Sequence, residues 1–293
     1  MKLPDEDKAV LDIAKEHEKQ FSAASRLFDH IVSSLSGGKA NGGEHLNRCL
    51  SALIIRLLRL HYAAVKLSSL GLASEAKIQI RAMLEICINL YALEQAPSPA
   101  DYARKWLAWD LHNYLKQVKT ELKHHPESQS LFDEHFRIAE TVKTEMDAAA
   151  LQAWQQEHTQ KYPEAGDYVK ARWKRFLSSG PSMLDLKSLA IAVDTGTGGK
   201  ARMADTYDYV YPNSSGVAHG SDLASMISFH DETGIVLKLA PSLDSVTTVV
   251  VTSTCLLQTG AAIIFRQLKL GGDNFPTETF EIAKSGVPPN DHP

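Results

Sequence analysis

Ser245 to Phe265 is a run of 21 residues without a charged side chain. A stretch that long has to leave water, either into a bilayer or into the middle of a helical protein. Seven of the 21 are Ser or Thr, Gln258 and Gly260 add two more positions, and only 12 are apolar. A bilayer-spanning helix is normally richer than that, and a helix apolar on most sides is buried against something. The run predicts a core helix over about Leu243 to Lys269, with the rest of the chain packed around it.

The remaining pattern is helical too. From Asp5 to Leu35, Val10, Ala14, Phe21, Ala24, Phe28, Ile31 and Leu35 recur at steps of three, four or seven, the period of an amphipathic helix. SGGKANGG (36–43) ends it. A second helix spans Glu44 to Leu70, stopped by Gly71, and a third about Ala73 to Glu94, ahead of Pro97 and Pro99. Two more polar helices are expected near Ala100–Leu122 and Glu127–Gln160, the latter projecting, then a short one from Pro163 and another over Met183–Val193. DTGTGGKA (194–201) reads as a flexible connection, and Pro212-Asn213 as a break or N-cap with His219 on the helix that follows. GIVLKLAP (234–241) suggests one short extended piece. The expected fold is an all-α bundle: an N-terminal helix and linker (1–43), a bundle domain (44–270) and a loose tail (271–293).

A hydrophobic content of 44% and a charged content of 23% are ordinary for a globular chain. The net charge of -4 supplies no bulk attraction for phosphate. Cys49, Cys87 and Cys255 are widely spaced in apolar surroundings, which suits reduced thiols in a cytoplasmic protein. MKLPDEDKAV carries no apolar h-region, so no signal peptide is expected. Several chemistries fail on spacing. A phosphate loop needs Gly, four residues, then Gly-Lys-Ser/Thr, but Asp194 stands five before Gly199 and Ala201 follows Lys200. There is no His-Glu-x-x-His, no Cys/His pairing at ligand spacing and no Gly-x-Ser-x-Gly. No metal and no cofactor are expected, a scattered set such as His61, Glu85 and His219 being the one non-local alternative.

One polar constellation survives. IQIRAMLEICINLYAL (78–93) is apolar nearly all round, and Arg81 and Glu85 lie four apart within it, on one face. Charges in such a helix need partners. The second half is TYDYVYPNSSGVAHGSD (206–222), with Tyr207 and Tyr211 four apart, then Asn213, His219 and Ser221. This can be a self-satisfied polar network that holds helices in register, or a site with Arg81, Glu85 and His219 as its working groups.

These residues, the Arg-x-x-x-Glu of a long helix followed by Tyr-x-x-x-Tyr and Val-Ala-His-Gly-Ser, resemble an uncharacterised bacterial all-helical family, a domain of unknown function that looks related to the HEPN superfamily. The resemblance implies a metal-independent ribonuclease or defence-type toxin, with RNA as substrate and a second copy of the chain as partner. Asn213 and His219 match the polar residue and histidine of the HEPN motif, whereas Pro212 stands at its arginine. On this reading His219 is the general base on the 2′-hydroxyl, Arg81 stabilises the anionic transition state from another helix, and Tyr211 or Ser221 positions phosphate. The alternative is a non-catalytic helical binding or scaffold module with a structural polar cluster. A third reading is a small-ligand sensor with a pocket lined by Tyr207, Tyr211 and the third helix.

Overall fold

The structure, a computed structural model, describes residues 6–36, 38, 40–157, 160–218, 227–230, 234–237 and 245–288. The uncharged run forms a helix from Val246 to Leu268, numbered α10 below, and its buried residues point in nearly every direction around its axis. Among the described residues it is the one helix long and apolar enough to cross a bilayer, and most of it is buried inside the bundle. It packs against α3 (Glu44–Ser69) and α4 (Ala73–Gln95), and these three helices form the centre. The seam is tight at Gly260, where a Cβ would come within 2.5 Å of Leu57 Cδ1. The Ser and Thr residues are what let this helix be a core helix: Thr254 returns its hydroxyl to Val250 O at 2.7 Å, and Ser253 bonds to His61.

His61 is 2% exposed. Its Nε2 donates to Ala24 O at 3.3 Å, and its Nδ1 accepts from the Ser253 hydroxyl at 2.6 Å. Ala24 O can only accept, so Nε2 carries a proton, and in the neutral ring Nδ1 is left as the acceptor. Burial pushes its pKa down to about 4. The imidazole thus ties α3 to α10 and to α2 (Glu18–Ser36).

On one flank lie α1 (Glu6–Glu16) and α2, which the periodicity reads as a single helix. The two are nearly continuous, since His17 N still bonds to Ile13 O at 3.1 Å. The loose tail expected after Gly271 instead contains α11 (Phe275–Lys284), packed on α2 and α10. Phe275 is the reason: it is buried and stacks on Phe265 with centroids 3.8 Å apart, so a few apolar positions in a polar stretch suffice once a groove receives them.

On the other flank, α8 (Leu186–Gly196) and α9 (Met203–Ala218) pack on α4. The connection expected to be flexible is organised: α8 runs into it as far as Gly196, and the Asp194 carboxylate accepts from Met203 N and Ala204 N at 2.7 and 2.9 Å. It caps α9 from outside the sequence window in which caps are sought. Pro212 does not break the chain but lies within α9. Proline inside a helix costs about 3 kcal/mol, and here the packing of α9 on α4 outweighs it.

The chain leaves the centre through α5 (Pro99–Glu121), started by Pro99 and by Ser98, whose hydroxyl accepts from Asp101 N at 3.2 Å. A 3-10 turn (Pro126–Leu131) precedes α6 (Asp133–Glu157), so the fifth expected helix starts later than its pattern suggests. With α7 (Ala165–Ser179) these helices form a layer with its own small core of Leu115, Val118 and Ala139. Two strands, β1 (Ile227–His230) and β2 (Gly234–Leu237), pair antiparallel, with Ile227 opposite Leu237. The short extended piece therefore exists at 234–237, with a partner the pattern did not indicate. The class is all-α.

Candidate functional site

Helix α4 is apolar nearly all round because it has neighbours nearly all round. Arg81 falls in the seam towards α9, where its side chain keeps 24% of its exposure and Glu85 keeps 42%. Although the helix itself is buried, the seam stays open to water at these two polar positions. Arg81 Nε donates to Glu85 Oε1 at 3.2 Å. Its Nη2 donates to the Tyr211 hydroxyl, and its Cζ lies 4.1 Å from the centroid of the Tyr211 ring. Tyr207 stacks on Tyr211 with centroids 4.6 Å apart and 18° between planes. Burial raises the Tyr207 pKa, with the Tyr211 hydroxyl adding to the rise. Next to Tyr207 in the chain, Asp208 pairs with Lys187 of α8 at 2.7 Å. The helical four-residue step puts Tyr207 and Tyr211 on one face of α9, as it puts Arg81 and Glu85 on one face of α4.

Glu85 has a second neighbourhood. Between α3, α4 and α5 opens a cavity of about 310 Å³, walled by Leu53, Arg56, Glu85, Trp106, Trp109 and Asp110. Asn89, also on its wall, is held at both ends: Nδ2 donates to Glu85 O at 2.9 Å, and Oδ1 accepts from the Tyr102 hydroxyl at 3.3 Å. Trp109 is fixed by an indole bond to Leu177 O at 3.1 Å. Cys49 borders the cavity as a buried thiol whose pKa is pushed up to about 12 by burial, the Asp110 carboxylate adding to the rise. It stays protonated at neutral pH and is no nucleophile.

A family model matches residues 47–235, a span that runs from within α3 into β2 and includes both helices of the Arg81 network. The chain belongs to DUF5677, a family of unknown function. No curated protein and no solved structure matches it. Membership agrees with the resemblance to an uncharacterised helical domain and leaves the function of the DUF5677 chain to be argued from its own residues.

Of the residues singled out in the sequence, the structure joins Arg81, Glu85, Tyr207 and Tyr211 in one network. Asn213 falls within α9, its side chain outside the described set, and His219 and Ser221 lie outside the described residues. His61 does not join Glu85 but belongs to the core. Among the described residues no three His, Cys, Asp or Glu side chains gather as metal ligands would. Sequence reasoning missed Arg56, Trp106, Trp109 and Asp110. They come from two helices about 50 residues apart, and the only local signal was the Trp-Leu-Ala-Trp step, which puts two indoles one turn apart on an otherwise polar helix.

Proposed function

We propose that this DUF5677 protein is a non-catalytic ligand-binding helical module, with the cavity between α3, α4 and α5 as its site. The observation that carries the reading is the double duty of Glu85, which lines the cavity and is held by Arg81. Arg81 is in turn anchored on α9 through Tyr211. The network thereby acts as a rigid wall that sets the carboxylate in place, as good binding sites require of their supporting residues. A guanidinium already committed to a carboxylate, a phenol and an aromatic face is poorly placed to receive a transferring phosphate. The cavity has the size and the mixture of indole, aliphatic and a few polar groups typical of small-ligand sites.

Two measurements test this. Indole, as a planar probe, is expected to bind the full chain and raise its melting temperature. Ala52→Trp, at an exposed position on the cavity wall, is expected to abolish the binding without loss of fold. RNA incubated with the protein in EDTA is expected to stay intact. Cleavage under those conditions that disappears in His219→Ala overturns the non-catalytic reading in favour of a ribonuclease.

A further inference from the structure

We infer that the cavity takes a nucleotide: a planar base among Trp106 and Trp109, with its phosphate on Arg56. The inference rests on the binding-module reading and adds the chemical class of ligand. Its starting point is which wall groups are already used. Glu85 is taken by Arg81, and Asn89 is taken by Glu85 O and Tyr102. Arg56 and Asp110 are both exposed, and neither has an ion pair or hydrogen bond to another described residue. The cavity therefore offers two indoles, of which Trp109 has its N–H spent on Leu177 O and its ring against Gly180, together with one open carboxylate and one open guanidinium.

Each offer matches a part of a nucleotide. Indole faces stack on any base, which is why stacking is tolerant of sequence. A carboxylate accepts from the N–H groups on a base edge, as Asp and Glu do from cytosine N4. A guanidinium grips phosphate oxygens two at a time. Charge points the same way. Arg48, Ala52, Arg59 and Lys66 follow one another at steps of four and seven, all exposed, with Arg56 one turn from Ala52 towards the cavity. Of these cations only Arg48 has a carboxylate partner among the described residues, Glu44 at 2.7 Å. One helix face of a chain with net charge -4 is thus cationic beside the cavity, over about 15 Å from Arg56 to Lys66 at the helical rise. An aromatic amine is the competing chemistry, drawn by two carboxylates. Arg81 already neutralises one of them, and Arg56 opposes a cation at the same wall.

The source of the base and phosphate, a free mononucleotide or a single RNA strand, is read in the same experiment. The full chain is titrated by calorimetry with CMP, GMP, cytidine, guanosine, a short single-stranded RNA, tryptamine and indole. The nucleotides are expected to bind about tenfold more tightly than the nucleosides, the gain of a charge-assisted contact. Arg56→Gln is expected to remove that advantage while leaving nucleoside affinity and melting temperature unchanged. Equal affinity for strand and mononucleotide identifies the free nucleotide. Tighter strand binding that weakens steeply with salt identifies a strand along Arg59 and Lys66. Equal binding of nucleoside and nucleotide, an unaffected Arg56→Gln, or binding of tryptamine in place of nucleotides overturns the inference. If indole binds while no nucleotide does, the inference fails and the module reading stands; if indole fails too, both fall.

Discussion

His61 and Arg81 sit on neighbouring helices, and each is met by a hydroxyl from a helix far along the chain, Ser253 for one and Tyr211 for the other. Around His61 the partners match the ring's hydrogen-bonding capacity, one acceptor and one donor, at a buried position. Around Arg81 the partners are a carboxylate and a phenol in a seam that stays partly open, and the carboxylate continues into a cavity. A group that can be neutral is sealed in the core, whereas a group that is always charged is kept at an edge where solvent and a counter-charge share its cost. The comparison separates a polar cluster that serves only the fold from one that also presents a surface.

The largest effect that tests this contrast is His61→Ala. It takes the imidazole partner from the Ser253 hydroxyl in the core and opens a cavity, so a loss of about 3 kcal/mol is expected. That corresponds to a fall of roughly 5–10 °C in melting temperature. A change below about 1 kcal/mol in urea denaturation would show that the core histidine is not the tie described here.

The wild-type pH profile follows from the same group. The folded state holds the His61 pKa down at about 4, against an ordinary 6.5. Between those values the unfolded chain binds a proton that the folded chain refuses, so stability rises with pH there. His61's contribution is fully present above about pH 6.5 and is lost as pH falls towards 4, by up to about 3 kcal/mol. Denaturation midpoints measured across this window should fall with acid, and the fall should be shallower in His61→Leu. Parallel profiles for the two proteins would assign the acid sensitivity elsewhere.

Arg81→Ala is expected to cost less, about 1–2 kcal/mol, because Glu85 is partly solvated and can recover water when its partner goes. Its sharper readout is the cavity: indole affinity should drop although Arg81 does not line it, since Glu85 loses its anchor. Retained indole affinity would sever the network from the site. Tyr211→Phe keeps the ring beneath the guanidinium and removes only the hydroxyl, so thermal denaturation should register under about 1 kcal/mol. Smallest of all, Lys187→Ala breaks an exposed pair with Asp208 and should leave the melting temperature where it was.

Much of the fold was legible because it rests on local rules. The uncharged run, the periodic apolar positions of α3 and α4, and the glycine stop at Gly71 place helices without tertiary knowledge. Errors fell where packing overrode a local signal. Pro212 is carried inside α9, Asp194 caps a helix that begins nine residues later, and Phe275 secures α11 in a stretch read as loose. The Arg81 network was half legible, since i,i+4 spacing showed Arg81 with Glu85 and Tyr207 with Tyr211. Nothing in the sequence could show that the two faces meet, because the pairing spans 130 residues.

The sequence by itself determined that this chain is a helical bundle around one uncharged helix, and that its few charges in apolar surroundings must find partners. Only the tertiary structure decided which partners. Helix period is a property of neighbouring residues, whereas the choice between a sealed histidine and an open arginine depends on which distant helix covers each one. The cavity beside Glu85 is decided at the same level: it is the space left where α5 meets α3 and α4, and no single helix carries it.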